Sequence, residues 1–427
     1  MKLIAVMVPF SFGLVSTINV NLVGTVSLGE VISMSLFMLA VQRAQLNRID
    51  MQILGVALFW ALAQLASDLV NESPAHLMLK GVFAPLIFVP SIIGLYKYFQ
   101  GDAQRFPLFM IAALSYQIIS LVLFPPSAAV SIFFAGNAWK FGYGAPTLFL
   151  IAIIFSYYKK SHPLMIAAVI CYCLYSVKHD WREMAINPIL AMCVYFYAQR
   201  AHDGPLIRYL RGGFPFFKFL LIFIPAVFIL NSVLTVAFRS EAVLSVLSEE
   251  SARKYKAQAA GDYGVLPGAR SEMVPEIQAF LDAPLLGHGS WAIDKGNEYG
   301  KLFEVWRYRH GYTGDQGMED FSWVGMYVKE NIIPVHSYIL SAMVWFGFSG
   351  FFVWAFFANL YLRFYFIDFH RLPFYYHMIA FVFFWNLLFS PFSGQGRWST
   401  AIMMAAVLSA RSRLLAGSQT GSVTFSK

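Results

Sequence analysis

The chain has 427 residues, 58% of them hydrophobic and only 13% charged, and its 31 Lys and Arg exceed its 23 Asp and Glu for a net charge of +8. A mean hydropathy of +0.60 lies far outside the range of water-soluble domains, so lipid is the solvent for most of the chain and a soluble enzyme is excluded. The positive charge then reflects orientation in a membrane, not a nucleic-acid surface.

Apolar runs recur near residues 3 to 18, 26 to 41, 52 to 66, 79 to 97, 106 to 124, 144 to 158, 163 to 177, 184 to 199, 214 to 236, 336 to 365, 373 to 390 and 397 to 411. They predict about twelve helices across a hydrocarbon layer about 30 Å thick, helical because lipid offers backbone amides no partner. The first run follows Met1-Lys2, has no small-residue cleavage site before Asn19 and is followed at once by a second run, so it reads as a retained helix and not a signal peptide. Cys171, Cys173 and Cys193 all fall inside predicted spans, which implies no disulfide framework. The expected fold is an all-α polytopic membrane protein: about nine spans in residues 1–236, one long loop with short amphipathic helices in 237–335, and about three spans in 336–427.

Basic residues orient this bundle. With the N-terminus inside, 16 of the 31 Lys and Arg fall in short inner segments, 5 in short outer loops and 10 in the segment 237–335. Long translocated loops do not count in the positive-inside rule, so both termini are expected inside and residues 237–335 outside. No internal repeat is visible, and the outer insertion divides the spans unequally, unlike the matched halves of common transporter plans.

Within the outer segment, residues 241 to 256 place Val243, Leu244, Val246 and Leu247 before a charged stretch, which suits a helix along the membrane surface. A second short helix is predicted over 271 to 283: Ser271 as cap, Glu272 and Glu276 favouring its positive N-terminal end, an apolar stripe of Met273, Ile277, Phe280 and Leu281, and Pro284 as stop. Arg270 stands immediately before that cap. The turn APLLGHGSW follows, where Gly287 and Gly289 permit backbone conformations barred to other residues; a plain tight turn and a close approach to a ligand both fit.

In IPVHSYILSAMVWFGFSGFFVW, residues 333 to 354, His336 falls at the outer mouth of a predicted span, with Gly347 and Gly350 thinning the helix farther along. An ionisable group at a membrane boundary of an apolar helix is a functional candidate. The plainer alternative is an interfacial His bonded to headgroups or to a loop carbonyl. An ordinary imidazole, with a pKa of about 6.5, is able to take a proton from a sugar hydroxyl.

Arg270, the Pro-Leu-Leu-Gly-His-Gly turn from Pro284 to Gly289, and His336-Ser337 followed by Leu340 and two glycines together resemble, in order and spacing, the shared domain of bacterial O-antigen ligases and Wzy-type polysaccharide polymerases. The resemblance covers roughly the second half of the chain. A further family arginine, at the outer start of an earlier span, matches Arg182 in KHDWREMAINP, where Asp180-Trp181 replaces the usual serine context; His288 also departs from the family, which carries an aliphatic residue there. The resemblance implies transfer of a glycan from undecaprenyl diphosphate to a hydroxyl, on lipid A core for a ligase or on a growing glycan for a polymerase, at the periplasmic face of the inner membrane. Arg182 and Arg270 would then hold the lipid diphosphate, since guanidinium supplies multidentate donors that stay charged, and His336 would be the general base.

Lys178, His179 and Arg182 crowd a short outer loop where few cations are expected, which marks Lys178 as a second anion contact or a partner of lipid phosphate. No Asp or Glu lies in residues 19 to 29, Glu30 alone is a poor metal site, and Asp315, Glu319 and Asp320 read as a solvated patch, so no metal or other cofactor is expected. Arg397 beside Trp398 reads as a helix-end anchor, and Trp291, Trp306 and Trp323 are either interfacial or sugar-stacking. The expected partners are the lipid-linked glycan, its hydroxyl acceptor and membrane lipids, and the competing class is a lipid-linked glycan transporter or flippase.

Overall fold

The computed structural model describes residues 2–22, 24–124, 137–159, 162–179, 181–200, 204–245, 247, 249–312, 331–367 and 369–419. Among them are nineteen α-helices and a single two-stranded hairpin. The N-terminal part holds α1 (Lys2–Ser16), α2 (Leu28–Gln42), α3 (Arg48–Val70), α4 (Ala75–Gln100), α5 (Arg105–Leu123), α6 (Gly144–Ile153, with wider π-turns on both sides), α7 (His162–Lys178), α8 (Arg182–Arg200), the short α9 (Pro205–Arg211) and α10 (Pro215–Arg239). The segment that follows supplies α11 (Glu241–Leu244), α12 (Glu249–Ala260), α13 (Val265–Ala269), α14 (Met273–Asp282) and α15 (Glu298–Arg309); α16 (Tyr338–Phe346), α17 (Phe348–Ile367), α18 (Phe374–Phe389) and α19 (Gly394–Gln419) complete the chain.

Among the described residues six helical runs are long and apolar enough to cross a membrane: α3, α4, α5, Trp139–Ser156 through α6, α10 and α17. Four further apolar helices, Leu3–Ser16, α2, α7 and α18, have 10–17 residues, short of a full crossing. The chain is therefore a helical, multi-pass membrane protein. Local capping sets two of the helix starts. Ser27 and Glu30 form a reciprocal capping box at α2, and Asn47 and Asp50 form another at α3, each satisfying backbone N–H groups that the first turn leaves without partners.

The first loop differs from expectation. Residues 19–27 pair as an antiparallel hairpin, β1 (Asn19–Leu22) against β2 (Gly24–Ser27), with Asn19 opposite Ser27 and Leu22 opposite Gly24. Alternating polar and apolar residues there are too few to announce strands by periodicity.

The single span expected over 336 to 365 is two helices. At Gly347 the backbone takes φ +65° and ψ −150°, a region open almost only to glycine, and the space a Cβ would need is filled by the carbonyls of Pro284 and Leu285. The chain reverses there, so that Ala342 meets Gly350 and the Tyr338 ring lies 5.1 Å from Trp354. α16 thus runs antiparallel to α17 as a short buried wedge, its Tyr338, Ile339, Ala342, Val344, Trp345 and Phe346 all inside. Around it Trp60, Phe88, Trp354 and Phe392 pack with ring centroids 5.2–6.2 Å apart, the aromatic centre of the core.

Helices α11–α15 dock on this bundle. Phe238 at the end of α10, Tyr255 and Ala259 of α12, and Val265 of α13 form a second, smaller apolar cluster, with the Phe238 and Tyr255 rings 4.6 Å apart. The helix expected over 241 to 256 is two pieces, α11 and α12, and Val246 lies outside the described residues. At the end of the bundle distant from α11–α15, Lys97 pairs with Asp50 at 2.8 Å and Arg211 donates to the Phe366 carbonyl at 2.9 Å.

Candidate functional site

α14 forms where proposed, ending at Asp282 before Pro284, but its roles are redistributed. Ser271 does not cap it; the Ser271 hydroxyl accepts from Arg307 Nη1 at 3.2 Å instead. Ile277 and Leu281 face outward with Leu285 and Leu286, an apolar row that suits lipid, while Glu276, Ala279 and Phe280 face inward. Of the apolar stripe, Phe280 is buried while Ile277 and Leu281 are exposed.

Glu276 is fully buried, and its Oε1 accepts the backbone N–H of His336 and, at 3.2 Å, that of Ser337. Ser337 Oγ accepts from Leu340 N and donates to the Leu387 carbonyl, each at 3.2 Å. Two side chains therefore cap the N-terminus of α16, one of them from sixty residues earlier. The turn after α14 caps the other end. His288 N donates to the Val344 carbonyl at 2.7 Å and Gly289 N to the Trp345 carbonyl at 3.0 Å, satisfying acceptors that a helix C-terminus leaves open.

Gly287 (φ +69°) and Gly289 (φ +88°) are needed for this close fit: a Cβ on the first would overlap the Trp345–Phe346 backbone, and on the second the Ser73 hydroxyl. What these glycines approach is the chain itself. Asn71 Nδ2 binds the Gly287 carbonyl at 3.0 Å, and Asp68 receives Ser290 N and Ser290 Oγ at 2.5 and 2.7 Å. The close approach to a ligand proposed for this turn is not needed to explain it. His288 likewise bonds inward, through Nε2 to the Ala279 carbonyl at 2.7 Å.

Arg270 and His336 do come together. Burial first, and the Arg270 charge second, lower the His336 pKa to about 3, so the imidazole is neutral and its lone pair is a weaker base than an ordinary histidine's. The Arg270 guanidinium also lies 5.8 Å from the Trp385 ring and donates to the Ala269 carbonyl at 2.9 Å. Burial raises the Glu272 pKa, opposed by Arg270 and Arg307, which places both arginines beside the same carboxyl. Burial also pushes Glu276 well above the usual carboxylate range, against the two N–H bonds it accepts.

The site therefore comprises Arg270, Arg307, Glu272, Glu276, His336 and Trp385. Arg307, Glu276 and Trp385 were not singled out as site residues; the spacing Glu276–Phe280 on one helical face was the one available signal, and it is local to α14. Lys178 is exposed in the last turn of α7, which packs on α6 and α8 and not on α11–α15. Arg182 opens α8, but its side chain lies outside what is described, as do Asp180, Asp315, Glu319, Asp320 and Trp323. Trp291 stacks on Trp345 at 4.9 Å and Trp306 on Tyr312 at 5.4 Å. Among the described residues no three His, Cys, Asp or Glu side chains gather as metal ligands.

Glu276 yields a pH test. Its folded-state pKa lies above the unfolded value, so the folded chain keeps a proton the unfolded chain releases; this stabilisation is complete below about pH 4.3 and is lost as pH rises through the folded pKa. Glu276→Gln keeps the acceptor oxygen without the ionisation, and its melting temperature relative to the parent is expected to climb from pH 5 to pH 8. Glu276→Ala orphans two N–H groups and is expected to destabilise by about 2 kcal/mol or more at either pH. A Gln variant whose offset from the parent is independent of pH would refute the neutral carboxyl. Comparison with protein-family models, with curated proteins and with solved structures finds no match to this chain.

Proposed function

We propose that this protein is a metal-independent glycosyltransferase of the O-antigen ligase or polysaccharide polymerase type, moving glycan from undecaprenyl diphosphate to a hydroxyl acceptor, lipid A core or a growing glycan. On this reading the protein spans the bacterial inner membrane about twelve times, with both termini cytoplasmic and α11–α15 periplasmic. The observation that carries it is that α14 gathers Arg270 and His336: the Arg270 carbonyl accepts from Met273 N at the start of that helix, and Glu276 of the same helix binds the His336 backbone.

His336 accepts the proton of the acceptor hydroxyl while its oxygen forms a bond to the anomeric carbon. The bond from that carbon to the diphosphate oxygen breaks, and the lipid diphosphate leaves with the electron pair beside Arg270 and Arg307. Arg182 is assigned to the same anion by the family resemblance and Lys178 by its place in a short loop where few cations are expected, and Gly287 and Gly289 serve it indirectly, by holding α16. A diphosphate on Arg270 offsets the charge that weakens His336, so the donor lipid itself raises the basicity of the group that must act next. The Glu276 bond to the His336 backbone sets where the ring stands.

Purified protein, reconstituted with undecaprenyl-diphosphate glycan and a hydroxyl acceptor, is expected to give a new covalent product. Movement of the lipid-linked glycan across liposomes without product would replace this reading with a transporter.

A further inference from the structure

At the bundle end distant from α11–α15, a cavity of about 240 Å³ opens between α7, the end of α8 and the turn joining α17 to α18. It is many times the roughly 30 Å³ share of one water molecule. Its lining combines polar side chains, Arg371, Gln199, His162 and Tyr195, with apolar ones that include Phe155 and Met165. Among the described residues no Asp or Glu lines it.

The polar groups are held in place by the fold. Gln199 Nε2 donates to the His370 carbonyl at 3.1 Å, which ties α8 to the turn that bears Arg371. Tyr195 Oη and His162 Nε2 stand 3.4 Å apart, the His162 ring packed against Tyr195 and Phe196 at 5.7 and 6.0 Å. Arg371, by contrast, makes no hydrogen bond or ion pair with any described residue. A guanidinium fork with no described acid in the lining, beside neutral donors and apolar side chains, matches a phosphate ester that continues into hydrocarbon.

We propose that this cavity binds the phosphate headgroup of an anionic phospholipid from the leaflet at that end of the bundle. Arg371 takes the phosphate oxygens bidentately, His162 and Tyr195 supply further polar contacts, and the glycerol and first acyl carbons lie against Phe155 and Met165. Basic pockets between membrane helices are suited to such headgroups. The apolar side chains favour the lipid over free inorganic phosphate, and the proposal is independent of the glycan-transfer reading.

The test uses the full-length protein in nanodiscs of phosphatidylcholine, into which phosphatidylglycerol is titrated while melting is followed by tryptophan fluorescence and bound lipid by native mass spectrometry. Phosphatidylglycerol is expected to raise the melting temperature and to remain bound. Arg371→Ala is expected to weaken that binding about tenfold, a loss of about 1.4 kcal/mol, whereas Arg43→Ala, an exposed cation at the same end, leaves it unchanged. Met165→Trp, which fills the cavity and keeps the charge, is expected to abolish retention, so the test stands even where the Arg371 variant misfolds. Equal responses of the two arginine variants would overturn the proposal in favour of general surface attraction, and reproduction of the shift by inorganic phosphate in pure phosphatidylcholine would overturn the assignment to lipid.

Discussion

Replacing His336 with Ala is expected to lower glycan transfer by about 10²- to 10⁴-fold, the range lost with a general base, while the protein still folds and inserts. Folding is preserved because the bonds that join this residue to Glu276 and cap α16 come from the His336 and Ser337 backbones, which alanine retains. A pH series sharpens the expectation. The free-enzyme imidazole, lowered to about 3, gives kcat/KM no acid limb from His336 near pH 6.5, since that ratio reports groups in the free enzyme. With donor bound beside Arg270 the lowering is partly offset, and the acid limb of kcat moves upward. Unchanged transfer by His336→Ala in membranes would remove the catalytic role, and the mechanism with it.

The largest stability effect is expected at Arg397. Its Nε lies 2.6 Å from Glu30 Oε1, and its Nη2 lies 3.0 Å from both Glu30 Oε2 and the Thr25 carbonyl, so one side chain clasps the first hairpin and α2 to the start of α19. The Glu30 side chain is 1% exposed and that of Arg397 11%. Arg397→Ala leaves a buried carboxylate without its counter-charge, a change that costs about 3–5 kcal/mol in comparable pairs. Loss of the folded protein from membranes, or a markedly lower melting temperature in detergent, is the expected result, with partial recovery in the Glu30→Gln, Arg397→Met double variant, where neither charge remains. A single variant that melts with the parent would show that the clasp contributes little. Both Glu30 oxygens are engaged, Oε1 by Arg397 and Oε2 by Arg397 and the Ser27 N–H.

Much of the candidate site was legible because its signals are local. A lone histidine in an apolar stretch and a proline stop after a short helix are features of single segments; His336 followed from the first, and Arg270 from the order of arginine, glycine turn and histidine that carries the family resemblance. Glu276 was legible as a helical residue yet misassigned: a carboxylate near a helix start complements that helix's own dipole by default, and nothing nearby announces that it caps a different helix. Gly347 was seen but read as thinning a continuous helix, since a glycine inside an apolar run is tolerated at a cost of only about 1 kcal/mol.

By itself the sequence determined that lipid is the solvent, that the backbone must be helical to live in it, and where a cation and an imidazole bracket the outer segment. Those conclusions depend on run length, composition and the hydrogen-bonding needs of the chain, which require no knowledge of neighbours. Only the tertiary structure decided that α16 doubles back along α17, that the segment from Arg270 to Ser290 clamps both ends of α16, and that Arg397 serves Glu30. The last two rest on partners 56 to 367 positions apart, and which of many compatible donors and acceptors meet across such distances is set by how the helices pack, a choice that local periodicity does not encode.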